Sequence, residues 1–152
     1  METRIEYAKV APAAVQALIH VETYLAKSGL PKSLTELVKL RASQINGCAF
    51  CIDMHWKDAR AHGETEQRLY GLSAWREAPY YEPNERAALA WTEALTLITE
   101  GHAPDSVYEE VRRHFDDKQT VDLSIAIGMI NLWNRLALAV RVPAGSYQPR
   151  KL

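Results

Sequence analysis

The sequence predicts an all-α protein, and three observations carry that prediction. Apolar residues recur at helical spacing along most of the chain, period-two alternation is hard to find, and glycines and prolines punctuate the periodic runs. The composition suits a packed core: 47% hydrophobic and 24% charged residues are too mixed for a disordered chain. At 152 residues, with no repeat, low-complexity tract or Gly/Ser linker, a single domain over residues 1–152 is expected.

The first long helix is expected over residues 12–27, with Val15, Leu18, Ile19 and Leu25 on one face and Ser28-Gly29 as its stop. A second begins near Ser33, which has Glu36 at the capping-box position, and buries Leu34, Leu37, Val38 and Ile45 before Asn46-Gly47. A third runs from about Cys48 to His62, with Gly63 just past its end. A short helix from Glu64 to Tyr70 follows, then an aromatic loop from Trp75 to Pro83. The stretch from Asn84 to about Glu100 aligns Ala87, Trp91, Ala94 and Ile98 on one face. Asp105 caps a helix reaching His114, and Asp116 or Asp117 caps a last helix to about Val140. That last helix is apolar on more than one side, which demands cover nearly all round, from the bundle or from another subunit. The tail from Val142 to Leu152, with Pro143, Gly145 and Pro149, reads as an extended arm.

Charge and targeting signals exclude several function classes. Lys plus Arg total 18 against 19 Asp plus Glu, a formal net charge of -1, so no basic excess draws in nucleic acid. The opening Met-Glu-Thr-Arg-Ile-Glu-Tyr lacks the basic and apolar regions of a secretory signal, and no window approaches eighteen consecutive apolar residues. The expectation is a cytoplasmic protein with no membrane partner.

The two cysteines stand in one motif, Cys48-Ala49-Phe50-Cys51. Residues three apart on a helix are neighbours at ~5–6 Å, within reach of a disulfide across the first turn. Just after Gly47 the pair falls at a helix start, where unpaired N–H groups and the positive dipole end stabilise a thiolate. Cytoplasmic thiols are kept reduced, so such a pair reads as catalytic or metal-binding rather than as a structural staple. His55 lies one turn beyond Cys51, and Cys48, Cys51, Ile52, His55, Ala59 and His62 share a face opposite Asp53, Lys57 and Arg60. A histidine beside a thiol can take its proton or give one to a leaving group. Glu36, by periodicity alone, points away from its helix's apolar face and reads as a solvated carboxylate.

Zinc is the rival chemistry, with Cys48, Cys51 and His55 as ligands and His62 or Glu36 as a fourth. Against it, the chain has no second CxxC or HxxxH to supply the other half of a structural site. His20, His102 and His114 read as surface or capping residues, and the four tryptophans as packing. Asn131, Asn134 and Arg135 are polar where polarity costs free energy, which points to an interface before a site.

The run Glu36-x11-Cys48-x-x-Cys51-x-x-x-His55 resembles the AhpD-like alkylhydroperoxidases of the carboxymuconolactone decarboxylase superfamily. The frame around it, LTELVKLRASQINGCAFCIDMHWKDARAHG, then ERAALAWTEALTLI and NLWNRLALAV, extends the likeness from about residue 15 to 140. The resemblance implies an AhpD-like helical bundle assembled as a trimer or hexamer, and a cofactor-free thiol peroxidase acting on organic hydroperoxides or hydrogen peroxide. It further implies that Cys51 is the peroxidatic thiolate, that Cys48 resolves its sulfenic acid into a disulfide, and that His55 and Glu36 form a proton relay. The relay requires Glu36 to turn inward, against the periodicity. The best-known peroxidases of the family carry a histidine between the cysteines where this chain has Phe50. The implied reductant is a lipoyl or thioredoxin-like dithiol. The alternatives are a redox sensor or dithiol-binding module that oxidises once and stalls, a lactone decarboxylase, whose chemistry needs no CxxC, and the zinc-binding protein.

Overall fold

A computed structural model of the chain describes residues 2–149. Its order is α1 (Tyr7–Val10), α2 (Pro12–Ala26), α3 (Lys32–Asn46), α4 (Ala49–Ala61), α5 (Glu66–Tyr70), α6 (Pro83–Thr96), α7 (Asp105–His114) and α8 (Asp117–Val140), with single 3₁₀ turns at Leu72–Ala74 and Ile98–Glu100. There is no strand among the described residues, as the periodicity predicts.

Local chemistry sets the helix ends and corrects several expected boundaries. Ser33 and Glu36 form no capping box: α3 starts one residue earlier, after Pro31, which leaves Glu36 free to be buried. The expected helix to Glu100 stops at Thr96 and tightens into the 3₁₀ turn. Asp105 is the first residue of α7 rather than its cap, a position where its charge still meets the dipole favourably. Asp116, not Asp117, caps α8, and it exchanges hydrogen bonds with Gln119 in a capping box.

Two apolar clusters flank α3. Leu34 and Val38 pack with Ala87, Ala88 and Trp91 of α6 and Leu123 and Ile127 of α8, while Leu37 and Leu40 face Ala59, Leu69, Leu72 and Leu89. α3 thus lies between α4, α6 and α8. By length and composition α8 could cross a membrane, yet half of its most apolar stretch is buried in the bundle. The same helix carries buried Asp122, which accepts from Tyr24 and pairs with Lys118.

The expected interface role of Asn131 and Asn134 is corrected. Both turn inward: Asn46 of α3 donates to Asn131 Oδ1 at 2.9 Å and to Asn134 Oδ1 at 2.8 Å. Asn131 donates in turn to Thr96, and Asn134 to Ser43, each at 3.0 Å. This satisfied ladder fixes the register of α3 against α8, and hence where the two halves of the site meet. One stripe of α8 stays open, with Val121 57%, Ile125 38% and Leu132 38% exposed, so the chain alone does not provide the all-round cover expected for this helix.

The tail is extended as expected but is tied down. Gly145 N–H donates to Asp53, Lys57 donates to the carbonyls of Gly145 and Tyr147, and the Tyr147 hydroxyl donates to Asp58 at 2.8 Å. The arm therefore runs along the charged face of α4. Residues 150–152 of the expected arm, and Met1 of the expected domain, lie outside the described residues.

Candidate active site

The site begins where α3 turns into α4. Gly47 closes α3 at φ 67°, a left-handed conformation that favours glycine, and Cys48 follows in an extended conformation as the N-cap of α4. Its Sγ accepts the backbone N–H of Cys51 at 3.4 Å. Cys48 is therefore the cap and not part of the first turn, while Cys51 sits inside that turn, among N–H groups without helical partners. The two sulfurs are joined as a disulfide with Cα atoms 5.3 Å apart. Both cysteines are 1% exposed.

His55 is buried one turn further along, and its Nδ1 lies 2.8 Å from Oε2 of Glu36. Glu36 is 1% exposed, so periodicity misplaces it and the family resemblance places it correctly. The other carboxylate oxygen pairs with Lys32, whose ammonium reaches solvent. Burial pushes the Glu36 carboxyl up, but the hydrogen bond and charge of His55 and the pairing with Lys32 outweigh it and hold the group at about 2. An ionised Glu36 accepting from Nδ1–H leaves Nε2 as the proton-accepting nitrogen, a tautomer inferred from the hydrogen bond.

Cys51 and His55 line one cavity of about 280 Å³, with Phe50, Met54, Tyr7 and Trp133 as its apolar walls and the Glu22–Lys39 ion pair at its side. The Trp133 indole N–H donates to Glu22 at 3.0 Å, and the Tyr7 ring packs 6.4 Å from it. Trp133 is thus a wall of the site as well as packing. Sequence reasoning missed Tyr7, Glu22, Lys39 and Trp133, and no local spacing links them to the cysteines: α1, α2, α3 and α8 bring them together only in the fold.

Of the residues weighed for the rival zinc site, His62 stands apart: it is exposed, with its Nδ1 on the Asp58 carbonyl, and Cys48 and Cys51 are bonded to each other. One ligand atom each of Glu36, His55 and Asp58 lies within 4.8 Å of the others, which makes this trio the metal-capable group among the described residues. Lys32 and Tyr147 already engage its two carboxylates.

A disulfide at a helix start, with Cys51 beside a carboxylate-backed imidazole on one small cavity, marks an all-helical protein with a CxxC site. The chain belongs to the carboxymuconolactone decarboxylase family, whose sequence profile matches residues 12–94. It is 47% identical over 146 residues to the uncharacterized Bacillus subtilis protein YdfG, covering 96% of this chain and 99% of that one. A crystal structure of an Agrobacterium tumefaciens protein of unknown function, for which a role as the antioxidant defence protein AhpD is only suggested, superposes with a TM-score of 0.92 at 47% identity, over 96% of this chain and all of the other. The alkyl hydroperoxide reductase AhpD of Maricaulis maris is 44% identical over 45 residues, 30% of this chain and 26% of its own length. The all-helical AhpD-like fold expected from the resemblance is the fold of this chain.

Proposed function

We propose that the protein is a thiol-dependent peroxidase that reduces organic hydroperoxides or hydrogen peroxide through a Cys48/Cys51 dithiol–disulfide cycle, working as a homo-oligomer. The observation that carries this reading is the shared cavity of Cys51 and His55, with Glu36 fixing the imidazole from behind. In the reduced protein His55 takes the Cys51 proton, and the thiolate attacks the O–O bond. The alcohol leaves with that proton, and Cys51 becomes a sulfenic acid. Cys48, at the cap, attacks this sulfur, water departs and the disulfide forms. A dithiol of the lipoyl or thioredoxin type restores both thiols.

Intact-mass spectrometry of pre-reduced protein after limiting cumene hydroperoxide tests this directly. The expected result is loss of two hydrogens per chain, mapped to Cys48–Cys51 and reversed by dihydrolipoamide. Free thiols and an unchanged mass would sink the reading.

A further inference from the structure

The two half-cystines line two different cavities. Cys51 lines the cavity it shares with His55 and Met54, and Cys48 is absent from that lining. Cys48 lines a second cavity of about 380 Å³, bordered by Gly47, Leu138, Arg141 and the first residues of the C-terminal arm, and Cys51 is absent from that one. Phe50 and Ala137 line both and form the partition between them. Each cysteine is only 1% exposed, and these are the cavities that the two residues line.

Thiol–disulfide exchange is an in-line displacement, so a nucleophile that attacks one sulfur approaches from the side opposite the other. A thiolate attacking Cys48 must therefore come from the side away from Cys51, and the second cavity is the one that Cys48 lines without Cys51. Arg141 is among the residues lining that cavity, and its positive charge complements an incoming thiolate. The arm forming its far wall is fastened to α4 through Asp53 and Lys57. At about 380 Å³ the space takes a slender dithiol side arm and not a folded protein surface.

We infer that the two half-reactions use opposite faces of the disulfide, and that the groove walled by Arg141 and the C-terminal arm is the binding site of a slender dithiol reductant that attacks Cys48. This rests on the peroxidase reading and adds to it the place where the reductant acts and the sulfur it attacks. One reductant thiolate forms a new S–S bond to Cys48 Sγ as the Cys48–Cys51 bond breaks, and the electron pair leaves on Cys51. Cys51 departs as a thiolate in the first turn of α4, where helix N–H groups stabilise it, and on the side where the hydroperoxide arrives. The second thiol of the reductant, deprotonated, attacks the mixed disulfide, closes the reductant's own disulfide and releases Cys48 as a thiolate. The two reductant protons pass to the two cysteines or to solvent, and two electrons move from the reductant to the protein.

The test times the half-reactions separately by stopped flow on the full chain. Reduction by dihydrolipoamide starts from protein oxidised with diamide, and oxidation by cumene hydroperoxide starts from reduced protein. Leu138→Trp, which fills the groove, is expected to slow reduction about tenfold or more and oxidation far less; Met54→Trp, which fills the other cavity, is expected to do the reverse. Arg141→Met, which leaves the shape open, is expected to slow reduction severalfold and to flatten its salt dependence. Variants that slow both half-reactions equally, or neither, overturn the inference. Because diamide supplies the disulfide, the reduction series remains readable if hydroperoxides fail to oxidise the wild type, in which case only the peroxidase reading falls.

Discussion

Glu36 and His55, from two successive helices, meet at 2.8 Å in the interior, and Lys32 closes the carboxylate's other side. The pair forms because α3 and α4 are antiparallel neighbours joined by the single tight turn at Gly47 and Cys48. Its electrostatics point one way: a carboxyl held at about 2 is ionised throughout the physiological range and keeps the imidazole oriented.

The depressed Glu36 value makes stability depend on acid. A folded-state value of about 2 against the ordinary 4.5 means that this stabilisation is fully present above about pH 4.5 and is lost as pH falls toward 2. Over that window the loss amounts to about 3 kcal/mol. Urea unfolding at stepped pH is expected to show this slope in the wild type and a flatter one in Glu36→Gln.

The two cysteines are expected to fail differently. Cys51→Ser abolishes peroxide turnover, whereas Cys48→Ser leaves a sulfenic acid on Cys51 that a dimedone-type probe captures. Equal residual activity in the two variants counts against this division of labour.

Loss of Asn134 takes one hydrogen bond from each of two partners on α3. Asn134→Ala removes its bonds to Asn46, which keeps Asn131, and to Ser43, which keeps the Lys39 carbonyl, at a wholly buried position, at a cost of about 1–3 kcal/mol, roughly 0.5–1.5 for each bond. Thermal unfolding followed by circular dichroism reads this, and Asn134→Asp at neutral pH is expected to rescue little.

The open stripe of α8 bears on the proposed homo-oligomer. Paired Ile125→Glu and Leu132→Glu substitutions on that exposed face are expected to shift the species seen by analytical ultracentrifugation to a monomer that keeps its helical spectrum. An unchanged mass would remove this face from the interface.

Helix existence and order were legible in the sequence because each amphipathic run ends at a glycine, a proline or a cap. The ends moved by one to four residues where a proline or a 3₁₀ turn took over, as at Pro31 and Thr96. The motif from Cys48 to His55 was equally legible, since one helix positions it. Glu36 was not legible from periodicity: a buried charge breaks the polar-outside rule, and its partner His55 lies on another helix. Asn131 and Asn134 misled for the same reason, their partner Asn46 being supplied by α3. Trp133, Glu22 and Tyr147 reach the site region through long-range packing, which no local pattern encodes.

The disulfide spans only three positions along the chain. Loop-closure entropy grows with the length of the loop, so so short a ring constrains the unfolded ensemble little, worth about 2 kcal/mol against the roughly 4.7 of a hundred-residue loop. Opening and closing the bond is therefore expected to move the melting temperature by roughly 4–8 °C, leaving the reduced chain folded. On the peroxidase reading, the bond then opens and closes in each cycle without unfolding the helices that carry it.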